Sequence, residues 1–257
     1  MISYGVEIEC IYNTENLKEG INRQDYHHGG FKEGCCWKLE RDGSLNISSN
    51  DYKKMRGAQL DCGEFISKRL VGREGLMYAI KELRDNLFGG KPLNECVSFN
   101  TSCGTHFHFS IKGKCKKRAH INIFKETREL FFNKLDDSSV LSKRIKTSIK
   151  KHYFRDYARE LSLQTMKDRR CEFNSISEEN QKGMEWRSIN LLGVTKWEEL
   201  IEVFNIVVDC IEFLDRRVRK YNVIENIKIE NSDKERILEN IKNYETTSYP
   251  SVVRLEF

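Results

Sequence analysis

Several features that define common protein classes are missing from this 257-residue chain. No apolar run approaches the ~20 residues that a membrane-spanning helix needs. The first residues lack the basic, apolar and small-residue order of a signal peptide. No stretch rich in proline, glycine and serine divides the sequence. We therefore expect a cytoplasmic protein that does not enter the membrane, with a single domain over residues 1–257.

Two common site motifs are missing as well. The nine cysteines are an odd number, and no two have the C-x-x-C spacing of a zinc site, which favours reduced thiols over disulfides or structural zinc. The G-x-x-x-x-G-K-[ST] motif of P-loop proteins does not occur. Any nucleotide site in this chain must therefore be built from other groups.

The charges are numerous but balanced. Charged residues make up 32% of the chain, against about 25% in a typical protein. The 44 basic and 39 acidic residues leave a net charge of +5. This balance is too even to indicate nucleic-acid binding by itself, although it is compatible with an anionic ligand.

Hydrophobic periodicity predicts alternating strands and helices. Apolar and polar residues alternate with period two over Ile2–Cys10, which predicts a strand with one apolar face. Thr195, with Glu198 three residues later, fits the capping box of a helix. The remaining predicted strands lie at residues 36–45, 58–67, around 106–108, 169–176 and 183–192, and the predicted helices at 72–88, in an insert at about 119–166, and at the C-terminus at about 195–244.

Charged side chains share the polar faces of these strands. Glu7 and Glu9 project together from the first strand, because alternate residues of a strand share a face. Two carboxylates that close repel each other unless a cation lies between them. By the same period, His106 and His108 share one face of their strand while the flanking phenylalanines enter the core.

Two further strands add charged groups. Glu185 and Arg187 share the face opposite Trp186, and Glu64 lies in a strand with Phe65 and Ile66. Carboxylates with an imidazole suit a hard ion such as Mg²⁺ or Mn²⁺. An arginine beside them suits a phosphate, which its planar fork binds through two hydrogen bonds. Together these groups describe a nucleotide triphosphate site without a P-loop.

Each pattern also has a purely structural interpretation. An E-x-E strand is often a solvated edge or a salt-bridged face, an H-x-H pair can hydrogen-bond the backbone, and an E-x-R pair is usually a surface charge pair. All three patterns occur on strands with a well-marked apolar opposite face. This common arrangement favours convergence on one site.

Six motifs, in this order, resemble the amidoligase family of carboxylate–amine ligases, in the group of glutamine synthetase and glutamate–cysteine ligase. They are YGVEIEC, WKLERDGSL, GEFIS, NTSCGTHFHFS, RRCEFNSI and GMEWRSIN, and they cover residues 4 to about 192. The resemblance implies an α+β fold with a glutamine synthetase-like curved, mostly antiparallel sheet. Its helices would pack on the convex face and its concave polar face would carry the site.

The resemblance also implies residue roles, with ATP and Mg²⁺ or Mn²⁺ as cofactors. Asp42 and Arg187 would act in catalysis, with Asp42 near the amine or acyl substrate. The implied metal ligands are Glu7, Glu9, Glu64, His106 and Glu185, and the implied ATP-phosphate contacts are His108, Arg187, Arg169 and Arg170. The sequence departs from the family at Lys68 and Arg69, where a proline is usual, which indicates a different acidic substrate.

The activity implied is ATP-dependent formation of an amide or peptide-like bond through an acyl phosphate, from small-molecule or peptide carboxylates and amines. A guanidino-kinase-like phosphotransferase on the same fold is an alternative. A second alternative is a protein that binds nucleic acid or another polyanion through its basic runs, although such runs are usually solvated helix faces. These runs are residues 112–118, 143–155 and 216–220.

The helical insert at about 119–166 has a predicted role of its own. Its lysines Lys150 and Lys151, interleaved with Tyr153, Phe154 and Tyr157, are predicted to flank the cleft entrance and to select an anionic substrate. A solvated helical cap is the alternative interpretation.

Overall fold

The structure, a computed structural model, describes residues 2–24, 30–56, 58–111, 117–154, 160, 172–175 and 183–226. The chain divides into two compact units, Met1–Arg219 and Lys220–Phe257. Residues 220–226 of the second unit are described, and they are helical. None of the helices in the described ranges is long and apolar enough to cross a membrane.

Nine strands and six α-helices are described. The strands are β1 Ser3–Asn13, β2 Asn22–Gln24, β3 Trp37–Glu40, β4 Leu60–Ser67, β5 Leu70–Val71, β6 Val97–Ser98, β7 Thr105–Phe109, β8 Phe173–Ser175 and β9 Met184–Ile189. The helices are α1 Ser49–Lys54, α2 Gly72–Lys81, which continues as a π-helical segment over Glu82–Leu87, α3 Leu93–Cys96, α4 Lys117–Asp137, α5 Lys143–Lys151 and α6 Trp197–Asn226.

All nine strands form one sheet in the order β2-β3-β4-β1-β7-β9-β8, and β5 and β6 also pair with β1. Only the β2–β3 pair among the described pairs is parallel. The expected α+β architecture with a mostly antiparallel sheet is therefore confirmed. Because β1 lies in the middle, its side chains have neighbours on both sides.

The apolar face of the sheet faces helices. The predicted apolar row of β1, from Ile2 to Cys10, is buried. Trp37 of β3 donates its indole N–H to the carbonyl of Ala79 in α2 at 2.7 Å. The ring of Phe107 in β7 packs edge-to-face against Phe204 of α6, with centroids 5.2 Å apart. The alternation read from the sequence thus gives the correct inward face.

The start of α6 differs from the predicted capping box. The carboxylate of Glu199, not that of Glu198, accepts the backbone N–H groups of Thr195 and Lys196, at 2.9 and 3.1 Å. The helix begins at Trp197, so the residue before it is Lys196 and not the predicted Thr195, and the acidic side chain that reaches back to the N–H groups moves by the same one position.

The insert between β7 and β8 packs against the apolar side of the sheet and against itself. Tyr153 is fully buried and accepts a hydrogen bond from the Trp186 indole at 3.0 Å. It therefore does not line a cleft entrance, because Trp186 lies on the face opposite Glu185. Lys150 of α5 pairs with Asp136 of α4 at 2.5 Å. Tyr157, the predicted end of the insert beyond 160 and the predicted helix at 232–244 lie outside the described residues.

Gly63 allows β3 and β4 to approach each other closely. A Cβ at this position would lie 2.5 Å from the backbone oxygen of Glu40, which cannot move without shifting β3. We expect Gly63→Ala to lower the free energy of unfolding by about 1–3 kcal/mol, as overpacking usually does. Chemical denaturation measures this, with Gly43→Ala as the control, since a Cβ at Gly43 meets nothing within 4 Å. Equal stability of the two variants would contradict the explanation.

Candidate metal and phosphate site

The polar face of the sheet collects carboxylates from adjacent strands in matching register. Glu9 of β1 lies opposite Glu64 of β4, and Glu64 lies opposite Glu40 of β3. On the other side of β1, Glu7 lies opposite His106 of β7. Antiparallel partners in register have side chains on the same face. The backbone pairing alone therefore brings these groups together.

One group of possible metal ligands consists of Glu9, Asp42 and Glu64. One oxygen from each of the three carboxylates lies within 4.8 Å of the other two. Glu9 and Glu64 come from neighbouring strands, whereas Asp42 comes from the turn after β3. That turn is held by Ser44, whose backbone N–H and hydroxyl each donate to Asp42 at 2.7 Å.

A second group consists of Glu7, His108 and Glu185, again with one ligand atom each within 4.8 Å of the others. His108 Nε2 lies 2.9 Å from Glu7 Oε1. The nitrogen is buried, and its contact with Glu7 lacks the angle of a standard hydrogen bond; no other acceptor or donor meets it within the described part of the chain. A ring nitrogen in this position, beside two carboxylates, has the surroundings of a metal ligand.

His106 lies between the two groups. Its Nδ1 is 3.2 Å from Glu7 Oε2 and 3.4 Å from Glu185 Oε1, and its Nε2 is 3.6 Å from Glu9 Oε1. Burial disfavours a charged imidazole, but the hydrogen bond to Glu7 and the charges of Glu9 and Glu185 outweigh it and raise the pKa of His106. The ring is therefore placed to neutralise the carboxylates of both groups.

The pKa values of the acidic residues move in opposite directions. Burial, followed by the charges of Glu7, Glu9 and Asp42, raises the pKa of Glu64 to about 9. Burial acts in the same sense on Glu7, but the short contacts with His106 and His108, and the charge of both rings, hold the pKa of Glu7 well below its ordinary value. Of this pair, Glu7 is the permanent anion, and Glu64 carries a proton at neutral pH unless a cation replaces it.

Arg187 lies at the β9 side of this face. Its Nη1 donates to both oxygens of Glu185, at 2.9 and 3.1 Å. Its Nε is buried and makes no hydrogen bond within the described part of the chain. One donor of the guanidinium thus has no acceptor among the described residues, and a donor in this position suits a phosphate contact.

Gly104 gives the two groups room to approach each other. Its backbone N–H donates to Glu9, and a Cβ at this position would lie 2.9 Å from Glu9 Oε2 and 3.0 Å from His106 Nε2. Any side chain here would push the carboxylate and the imidazole away. The glycine of the NTSCG segment is therefore part of the site geometry.

The structure brings together eight of the ten site residues that the sequence predicted, namely Glu7, Glu9, Asp42, Glu64, His106, His108, Glu185 and Arg187. Arg169 and Arg170 lie outside the described residues, so their contacts with ATP stay a prediction. His106 and His108 both touch Glu7, but it is His108 that joins Glu7 and Glu185 in a ligand group.

Sequence reasoning missed Glu40. This side chain is fully buried, lies opposite Glu64 and pairs with Lys38. Alternation along WKLE puts Lys38 and Glu40 on the face opposite Trp37 and Leu39, so the same period-two pattern that located Glu7 and Glu9 also contained this signal.

A cavity of about 610 Å³ lies elsewhere, lined by residues of α5, β6 and the segment before α6. None of the proposed site residues lines it. The converging carboxylates, imidazoles and arginine identify the candidate site better than cavity size does, because they supply the chemistry.

No protein-family model matches the chain, and no curated protein matches it. The resemblance to amidoligases therefore rests on the six motifs and their order.

The raised pKa of Glu64 predicts a pH-dependent stability in metal-free buffer. Between the ordinary value of 4.5 and about 9, the folded state keeps a proton that the unfolded state has released. The free energy of unfolding should therefore fall as pH rises through this range. We expect Glu64→Gln to reduce this fall, as measured by chemical denaturation with a chelator present. The exposed Glu74→Gln is the control, and a Glu64→Gln profile parallel to the parent's would refute the prediction.

Proposed function

We propose that the chain is an ATP-dependent carboxylate–amine ligase of the amidoligase type, built on a glutamine synthetase-like sheet. The observation that supports this most directly is the position of His106 between two ligand groups, with Arg187 beside one of them. Acid-rich ligand groups beside an arginine suit a metal–nucleotide complex.

The residues present fit Mg²⁺ or Mn²⁺. Five carboxylates and one imidazole in two groups offer mostly oxygen ligands, which hard divalent ions prefer. When bound, such ions would neutralise the charge on the phosphates of ATP. The two groups are Glu7, His108 and Glu185, and Glu9, Asp42 and Glu64.

The proposed reaction has two steps. A carboxylate oxygen of the substrate attacks the γ-phosphorus of ATP, and ADP leaves. The nitrogen of the amine then attacks the carbonyl carbon of the acyl phosphate, inorganic phosphate leaves, and the nitrogen gives up a proton. Activation is necessary because an unmodified carboxylate has no adequate leaving group.

This chain's side chains have distinct parts in that reaction. The Nε of Arg187, which has no acceptor in the described ranges, would donate to the phosphoryl group that is transferred, where charge develops. Asp42, at the tip of its turn, would accept the proton from the amine or support the ligand group that it joins. His106, with its raised pKa, would keep the carboxylates on both sides close together.

The site geometry changes one role implied by the resemblance. His108 was matched to an ATP phosphate and His106 to metal, whereas His108 is the imidazole that joins a ligand group with Glu7 and Glu185. We therefore propose His108 as a metal ligand and His106 as the residue that holds the two groups together.

The kinase alternative uses the same ligand groups and differs in its product, which would be a phosphorylated acceptor without an amide.

The polyanion-binding alternative has less support from the insert. There, Lys146 donates to the carbonyls of Asp136 and Ser138 at 2.8 and 2.6 Å, and Lys150 pairs with Asp136. These lysines are therefore used inside the insert.

The ligase proposal predicts ADP release that depends on two acceptors at once. Purified protein with Mg²⁺ and ATP is offered pools of carboxylates and of amines, separately and together, and the products are identified by mass spectrometry. We expect ADP, phosphate and a new amide only with both pools. A phosphorylated product without an amide would favour the kinase, and a salt-dependent shift of DNA or RNA without turnover would favour polyanion binding.

Arg187→Lys tests the phosphate contact. Lysine keeps the positive charge but loses the planar fork and the Nε donor. We expect the affinity for a Mg²⁺ complex of a non-hydrolysable ATP analogue to fall about tenfold, the order of one charge-assisted hydrogen bond. Calorimetry measures this, with Arg73→Lys as the control because Arg73 pairs with Asp209 instead. Equal affinities of the two variants would exclude Arg187 from the nucleotide site.

A further inference from the structure

The NTSCG segment contains two polar residues that the proposed chemistry does not use. The side-chain oxygen of Asn100 accepts the backbone N–H and the hydroxyl of Ser102, at 2.8 and 2.7 Å. The backbone N–H of Cys103 donates to the Asn100 carbonyl at 3.2 Å. These bonds fix the turn that leads into Gly104, whose N–H donates to Glu9.

The same turn is joined to the loop that carries Asp42. Asn100 Nδ2 donates to the carbonyl of Asn46 at 2.7 Å, and the N–H of Asn46 donates to the Ser102 hydroxyl at 3.1 Å. At the other end of that loop, the backbone N–H and the hydroxyl of Ser44 both donate to the Asp42 carboxylate. The two loops are therefore one hydrogen-bonded unit, and they control two of the three carboxylates in the Glu9–Asp42–Glu64 group.

Asp51 supports this unit from outside the site. It lies in α1, is fully buried, and accepts Asn100 Nδ2 on Oδ2 at 2.9 Å and the Ser98 hydroxyl on Oδ1 at 2.8 Å. Its Oδ2 also accepts the backbone N–H of Ser48 at 2.8 Å. A carboxylate makes stronger hydrogen bonds than a neutral acceptor, and a buried network with its members paired is rigid.

We propose that Asp51 is a positioning residue for the metal group of Glu9, Asp42 and Glu64. It holds Asn100, Asn100 holds both loops, and the loops set the positions of Asp42 and of the N–H that fixes Glu9. The proposal rests on the proposed function, because it assumes that this group binds a divalent cation. Loss of residues that orient metal ligands commonly weakens metal binding about 10–100-fold.

A purely structural role for Asp51 is the competing explanation. Asp51 and Ser48 form a capping box at the start of α1, and loss of a cap lowers stability without affecting a remote metal ion. Metal affinity of the folded protein separates the two roles, because a cap alone would leave it unchanged.

The experiment is a titration with Mn²⁺ alone, followed by the electron paramagnetic resonance signal of the free ion. Asp51→Asn keeps the size of the side chain but replaces one acceptor oxygen with a donor that faces other donors. We expect at least one Mn²⁺ ion to bind about tenfold more weakly than in the parent. Asp61→Asn is the matched control, since it also removes one negative charge, from an exposed carboxylate in β4.

Ser102→Ala is the second variant, because it removes one of the two hydrogen bonds between the loops, the one from the Asn46 N–H, without touching α1. If Asp51→Asn does not fold, weaker Mn²⁺ binding by Ser102→Ala supports the proposal, and parental binding overturns it. If Asp51→Asn folds and its titration superimposes on the parent's, the proposal is wrong while the metal site stands. A parent protein that binds no Mn²⁺ would remove both the proposed function and this role.

Discussion

The concentration of carboxylates on one face of the sheet is the constraint on which the rest of the structure depends. Charged groups are costly to bury unless they are paired, so these acids need cationic or protonated neighbours. Two imidazoles, an arginine and a lysine lie among the acids. The carboxylates concerned are those of Glu7, Glu9, Glu40, Asp42, Glu64 and Glu185.

The opposite face of the same strands makes this arrangement possible. Every inward residue of β1 from Ile2 to Cys10 is buried among apolar groups, and α2 and α6 cover that side through Trp37 and Phe107. The sheet is thus held in place by contacts that do not involve the acidic face. Burial on one side therefore allows charge repulsion to persist on the other.

Local alternation explains why much of this site could be predicted from the sequence. The period of two assigns Glu7 and Glu9 to one face, and the same rule assigns His106 and His108. It does not give the register between strands, so it could not show which histidine meets which carboxylate. A register shift between Thr105 and Phe107 of β7 makes that pairing still harder to infer.

Contacts between loops were beyond prediction for a different reason. Asn100 is 49 residues from Asp51 and 54 from Asn46 in the chain, and no short-range pattern links such positions. The error at α6 has a local cause, since the residue before the helix is Lys196 and not Thr195, which moves the capping role from Glu198 to Glu199. Periodicity therefore predicts well which residues share one face of a strand. The first residue of a helix and the long-range hydrogen bonds can be read only from the folded chain.

The two ligand groups also differ in how firmly the fold holds them. Glu7, His108 and Glu185 come from three adjacent central strands, whose backbone pairing fixes their spacing. Asp42 comes from a turn, and Glu64 has a pKa raised to about 9, so the second group is held by loop contacts and a proton. A cation that displaced this proton would be bound by three negatively charged carboxylates. In the fold without a cation, a proton on Glu64 and the imidazole of His106 therefore offset part of the negative charge of the acids.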